Sequence, residues 1–251
     1  MKAIIFDLDG VLVDTMPTHY RAMRIALKEL TGIDLNKRTF YLLEGMPIAQ
    51  MALKLFKLKD YSIGNTSAAK KRLRRQQQLA ERVANRKKEL VLQTKIIPKP
   101  IGGVMELLMN ELGSSSSRSS IECLKAVVSG SSKQEVDLII NTYFGSQNFD
   151  AIITGDEFEG KGKPNPDPFY ASVRKLNDVT PIIDVIIVEN APLGVKAANA
   201  AKITSIVALN TSPLTITDFK GLINRNRIFK NTASAGEFLK RWVRSNKLKI
   251  K

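Results

Sequence analysis

Five short apolar runs, most of them separated by helical patterns, limit what this chain can fold into. They are Ala3-Ile4-Ile5-Phe6, Leu124 to Val128, Ala151-Ile152-Ile153, Ile182 to Val188 and Ser205 to Leu209. Runs this short, rich in Ile and Val and apolar on successive positions, read as strands buried on both faces. After Ser131-Ser132, residues suited to cap a helix, Val136, Ile139, Ile140 and Tyr143 form one stripe at i, i+3, i+4 and i+7. Pro166-Asp167-Pro168 opens a second helix through Asn177, with proline where a first turn tolerates it. Pro192 to Ala201 is alanine-rich and reads as a third. Strand and helix in alternation predict an α/β fold, a Rossmann-like parallel sheet with helices on both faces.

One stretch breaks that rhythm. From about Thr15 to Lys95 no strand pattern occurs, while Pro17 to Leu30 and a long polar segment from Ser67 to Val91 read as helices. This predicts an α-helical domain, residues 15–95, inserted after the first strand of a core made of 1–14 and 96–251. Ile97-Pro98-Lys99-Pro100 reads as the return linker. Gly113 to Ser120 is serine-rich and reads as a flexible surface loop. Near the C-terminus Phe238, Leu239, Trp242 and Val243 mark one face of a packed helix, before a solvated tail with Lys247, Lys249 and Lys251.

Four polar signatures fall at or just after strand ends, the edge where open parallel sheets bind ligands. They are Asp7-Leu8-Asp9-Gly10, Ser129-Gly130-Ser131-Ser132, Gly162-Lys163-Pro164 and Glu189-Asn190. Together they supply carboxylates, a hydroxyl beside free backbone amides, an ammonium and an acid–amide pair, a set suited to a phosphoryl group and a divalent cation. Asp7 is the candidate nucleophile, able to form an acyl phosphate. Asp9 is the candidate general acid and base. Asp7, Glu189 and Asn190 offer oxygens to magnesium, which takes few carboxylates and completes its shell with phosphate and water. Ser129 and Gly130 stand where a strand opens into a helix, an anion site. Lys163 neutralises charge on phosphoryl oxygens.

Composition removes other classes. Cys123 is the only cysteine and His19 the only histidine, which excludes an internal disulfide, a cysteine-based zinc cluster and any site built on two histidines. No segment approaches the roughly 20 apolar residues of a membrane span, and the N-terminus lacks the long apolar stretch of a signal peptide, so the sequence reads as cytoplasmic. The formal charge of +15 speaks to solubility and non-specific binding rather than fold. Nine basic residues, Lys70, Lys71, Arg72, Arg74, Arg75, Arg82, Arg86, Lys87 and Lys88, crowd one helical segment. They read as a solvated face, with the sharper alternative that part of it steers anionic substrates to the cleft. A nucleic-acid-binding role for that stripe lacks interleaved aromatic residues and any zinc-finger or RNA-binding signature, so no specific nucleic acid is expected. A phosphate-accepting receiver domain would be shorter and would need no inserted helical domain.

The segments MKAIIFDLDGVLVDT, AVVSGSS, GDEFEGKGKPNPDPF and VIIVENAPLGVKAANAA closely resemble the four motifs of haloacid dehalogenase-like hydrolases, in the branch of β-phosphoglucomutases and phosphoglycolate phosphatases. The resemblance spans the sheet-forming core and likens the helical insertion to that family's small cap, which closes over substrate. It implies aspartyl-phosphate chemistry with Mg2+, a metal contact from the Asp9 backbone carbonyl, and a phosphate contact at Leu8. An acid at Asp9 separates phosphatases and phosphomutases from dehalogenases. ENAPLGV departs from the commoner Glu-Asp-Ser, so Asn190 removes one negative charge from the metal site. Asp14 to His19 resembles the mutase hinge, where a histidine couples closure to acid–base chemistry. Gly45 and Met46 fall in the substrate-facing cap segment. Ile48 stands where mutases carry an arginine for a second phosphate, which favours water as acceptor. The expectation is therefore a phosphatase acting on a small phosphorylated metabolite, with a sugar phosphomutase as the alternative.

Overall fold

The computed structural model describes residues 1–58, 67–94, 98–107, 123–158, 161–210 and 212–245. The α/β expectation holds. Strands β1 (Lys2–Phe6), β2 (Cys123–Val128), β3 (Ala151–Ile153), β4 (Asp184–Glu189), β5 (Thr204–Ala208) and β6 (Ile228–Phe229) form one sheet in the order β3-β2-β1-β4-β5-β6. Every pairing is parallel. The chain steps outward from β1 to β2 and β3, then returns to β4 on the opposite side. This reversal opens a crevice beyond the carboxyl ends of β1, β2 and β4.

Two apolar layers sandwich the sheet because side chains alternate faces along each strand. Ile4, Phe6, Val127 and Val188 point to one layer, where Leu239 and Val243 of the C-terminal helix and Val136 and Ile140 cover them. Ala3, Ile5, Val128 and Ile187 point to the other, under Phe169, Leu176, Ala197 and Ala198.

The start of β4 and the presence of a sixth strand differ from the sequence reading. β4 begins at Asp184 rather than Ile182; Ile183 is exposed, and the Ile182 amide is taken by the Asn177 side chain at 3.0 Å. β6 went unforeseen because two residues are too few to show a periodicity.

Between β1 and β2 the chain builds α1 (Met16–Thr31), α2 (Lys37–Leu42), α3 (Ile48–Leu58), α4 (Ser67–Leu92) and the single turn α5 (Val104–Glu106). Helix α4 packs along α1 and α3. Met23 and Leu27 of α1, Phe40 and Tyr41 of α2, Met51 and Leu55 of α3, and Ala80 and Val83 of α4 share one cluster. The outgoing and returning segments lie side by side: Asp14 N donates to Lys99 O at 2.9 Å, and Ile101 N to Leu12 O at 2.8 Å. Of the expected linker, Ile97 lies outside the described residues, as do the serine-rich 113–120 segment and the lysine tail. The remaining helices are α6 (Lys133–Tyr143), α7 (Asp167–Val179), α8 (Pro192–Ala200) and α9 (Thr232–Arg244). Among the described residues no helix is long and apolar enough to cross a membrane.

Candidate active site

Asp7 directly follows β1, and its amide is anchored on Val188 O of β4 at 2.9 Å. Its carboxylate therefore emerges at the crevice beside Glu189, the last residue of β4. Lys163 enters from the loop before α7 and joins the two: Nζ lies 2.6 Å from Asp7 Oδ1 and 2.6 Å from Glu189 Oε1. All three are buried. Burial pushes the Asp7 carboxyl up; Lys163 opposes this, Glu189 and Asp9 add to it, and the result is about 8. Burial alone would lower the Lys163 ammonium, but Asp7 and Glu189 outweigh it and hold the proton firmly.

Asp9 has a different environment. Its Oδ1 accepts from Thr15 Oγ1 and lies 3.2 Å from His19 Nε2; its Oδ2 accepts from Ser129 Oγ at 3.0 Å and Ser131 Oγ at 2.9 Å. Burial works against ionisation, yet His19 and the Thr15 and Ser131 hydroxyls hold Asp9 well below the usual carboxylate range. Two acids two positions apart along the chain thus differ in proton affinity, with Asp7 raised and Asp9 lowered, the reverse of a site in which the nucleophile stays ionised and the general acid holds its proton.

The phosphate-binding expectations separate by geometry. Ser129 and Gly130 lie just past β2, and Ser129 Oγ is turned to Asp9. The first turn of α6 is fixed by Glu135, whose Oε2 accepts from Ser132 N at 3.1 Å and Ser132 Oγ at 2.8 Å. The Leu8 side chain is fully buried in the core, so only its backbone can face a phosphoryl group.

Insertion residues complete the far wall of a cavity of about 270 Å³ lined by Asp7, Asp9, His19, Gly45, Met46 and Lys163. Gly45 lies against the core lysine. Its φ is +83°, and a Cβ there would stand 2.9 Å from Lys163 Cδ, so this approach requires glycine.

Two lining residues were not singled out individually from the sequence. Glu44 follows α2 and is buried; burial and then the charge of Asp7 push its carboxyl well up, while Asn190 hydrogen bonds oppose the shift. Lys87 is the one buried member of the basic stripe, whose other residues are exposed except half-buried Arg86. Its Nζ lies 3.9 Å from Glu135 Oε1, and burial lowers its proton affinity against the pull of Glu135 and Asp9. The helical spacing of Gln76, Ala80, Val83 and Lys87, all buried, was the available signal for Lys87. Glu44 carried no signal beyond its place next to Gly45.

Oxygen donors dominate the floor of the crevice. Asn190 Oδ1 is buried with no hydrogen-bond partner, and its Nδ2 donates to the Asp9 carbonyl at 2.9 Å. Among the described residues no three Asp, Glu, His or Cys side chains converge as a ready-made metal cage. Magnesium does not require one, since it draws on carbonyl, amide, phosphate and water oxygens with one or two carboxylates. The orphaned amide oxygen and the hard-oxygen donor set fit that ion.

Comparison with known proteins agrees with the fold and the motifs. A family model described as haloacid dehalogenase-like hydrolase matches residues 4–208. A phosphorylated carbohydrates phosphatase from Thermotoga maritima is 28% identical over 240 residues, covering 91% of this chain and 93% of that protein. A β-phosphoglucomutase from Bacillus subtilis is 28% identical over 212 residues, covering 80% of each. Among solved structures, a hydrolase from Pseudomonas syringae superposes with a TM-score of 0.75 at 21% identity, over 96% of this chain and 99% of that one.

Proposed function

Since the chain belongs to the haloacid dehalogenase-like hydrolase family, we propose that it is a magnesium-dependent phosphatase, acting on a small phosphate monoester through an aspartyl phosphate on Asp7. The observation that carries this reading is the buried Asp7–Lys163–Glu189 chain at the crevice, with Asp9 held apart from it by hydroxyls and His19.

In the first half-reaction an Asp7 carboxylate oxygen attacks phosphorus and the ester P–O bond breaks. The leaving oxygen takes a proton from Asp9. His19 Nε2, at 3.2 Å, is the nearby group from which Asp9 can gain it. In the second, water attacks the phosphorus, gives a proton to Asp9, and releases phosphate as the bond to Asp7 breaks. Asp9 therefore changes from acid to base between steps. Lys163 lies where it offsets charge on the phosphoryl oxygens, and Glu189 holds it there. Asp7, the Asp9 carbonyl, Asn190 and Glu189 are the residues that would hold magnesium, which when bound neutralises phosphoryl charge and orients the group for in-line transfer. The helical insertion acts as a cap, covering the site from residues 15–95, and Gly45 and Met46 face substrate.

The named activity of the Thermotoga relative supports phosphorylated carbohydrates as the substrate class. Phosphate release from a panel of sugar phosphates, with magnesium or chelator and with wild type or Asp7→Asn, tests the reading. Metal-dependent release that disappears in Asp7→Asn supports it. Release that survives Asp7→Asn rules out the aspartyl phosphate.

Lys87 favours a second reading. It places a buried cation in the cavity wall, where it can take the role that Ile48 cannot and grip a second phosphate. A sugar phosphomutase would then convert β-glucose 1-phosphate when primed with its bisphosphate, and a coupled assay for the 6-phosphate distinguishes the two.

A further inference from the structure

Glu44 belongs to the helical insertion, yet its carboxylate is buried against core residues. Its Oε1 and Oε2 accept from Asn190 Nδ2 at 3.0 and 3.1 Å, and the same Nδ2 donates to the Asp9 carbonyl at 2.9 Å. Oxygens from both parts of the chain therefore converge on one edge of one amide. At its other edge Oδ1 is buried and without a partner. Three acids nearby, Asp7, Glu189 and Asp9, work against its ionisation. A buried carboxylate beside three acids, with the Asn190 amide as its hydrogen-bond donor, is poorly compensated.

A half-turn of the Asn190 amide exchanges its two ends. Oδ1 would then face the Asp9 carbonyl and both Glu44 oxygens, a set of oxygens that a divalent cation reconciles with Glu44 ionised. The spacings suit a small octahedral ion: ligands about 2.1 Å from magnesium stand roughly 3.0 Å from their neighbours, close to the 2.9, 3.0 and 3.1 Å found around that amide edge.

We propose that Glu44 is a ligand of the divalent cation, carried to it by the helical insertion, and that it supplies the negative charge missing at Asn190. This rests on the magnesium reading given above. The total charge of the site is then that of a site with Asp at 190 and a neutral residue at 44. The location of the charge differs, because here one ligand comes from the insertion and the rest from the core. Cation binding and closure are thereby linked, each favouring the other by the same factor.

The test uses the full chain without substrate and magnesium alone as probe, with binding read by titration calorimetry and closure by small-angle scattering. Glu44→Gln is isosteric, and its melting curve checks folding. Its magnesium affinity should fall by about tenfold or more. Adding Asn190→Asp should restore affinity to near wild type. Magnesium should make the wild type more compact, and should do so neither in Glu44→Gln nor in the double variant, where the charge sits wholly in the core. A wild type that binds no magnesium overturns the metal reading and this inference with it. A wild type that binds, with Glu44→Gln binding equally well, overturns this inference alone. So does a double variant that remains as weak as Glu44→Gln.

Discussion

Lys163 Nζ lies 2.6 Å from Asp7 Oδ1, with both side chains almost wholly out of water. Even so, Asp7 binds its proton more tightly in the fold than in the open chain, because burial, Glu189 and Asp9 together outweigh the lysine. A raised carboxyl favours the folded state fully below the usual 3.8, and that contribution is lost as pH climbs through about 8. In chelator the melting temperature should therefore fall between about pH 4 and pH 8. Asp7→Asn should flatten this slope and melt above wild type at pH 8. Because Lys163, Glu189, Asp9 and Glu44 also face Asp7, parallel slopes in the two proteins would assign the effect to another of these acids.

Lys163→Met leaves two buried carboxylates without their shared cation. Breaking a buried pair from one side costs about 3–5 kcal/mol, so urea unfolding in chelator should show a loss of that order. Activity at saturating substrate should fall by about a hundredfold or more, the scale found when one donor to a developing oxyanion is removed. An enzyme with near-normal turnover would show that Lys163 is structural only.

Lys87 and the exposed residues of α4 should behave differently. Lys87→Met is expected to raise KM about tenfold with little change in kcat, as loss of uniform substrate binding does. Replacing Lys70, Lys71, Arg74 and Arg75 together, all exposed and none of them lining the cavity, should leave KM at physiological salt within about twofold, because salt screens interactions between exposed charges. Equal effects from the two variants would restore the whole stripe as an electrostatic guide.

Gly45→Ala should disturb the cleft without touching an acid or a base. The added methyl meets Lys163 Cδ at 2.9 Å and the backbone must keep φ at +83°. The strain is of order 1–2 kcal/mol, to be read as a lower melting temperature. The lysine must also shift, which should lower kcat more than it raises KM. An unchanged kcat would mean that the loop yields instead of the lysine.

Much of this arrangement is legible in the sequence, and the reason is local. A strand that ends in acids announces both its burial and the edge where parallel sheets bind ligands, so Asp7, Asp9 and Glu189 stand out as candidates in the sequence. The placement of Lys163 beside them follows from the sheet order, which the alternation of strand and helix already constrains. Glu44 could not be found in this way. Its meaning depends on the turn after α2 meeting Asn190, 146 positions away, and neither spacing nor composition records that approach. Lys87 was hidden for the opposite reason: as one of nine basic residues in a helical segment, it carried only the weak signal of its spacing from Ala80 and Val83, and the packing of α4 on α1 and α3 is what shows it turned inward.

The parallel register has a cost during synthesis. Strand β1 is the centre of the sheet, yet Lys2 pairs with Cys123 on one side and Asp184 on the other. It leaves the ribosome some 120 residues before its first neighbour, a wait on the order of ten seconds at usual elongation rates. Through that interval a strand apolar from Ala3 to Phe6 has both edges open, an invitation to aggregation. The helices of the insertion are made in the same interval, with contacts mostly among themselves. None of the β1 residues belongs to the cluster those helices bury, so the insertion can fold in that interval without covering the strand, whose exposure ends only when its sheet neighbours arrive.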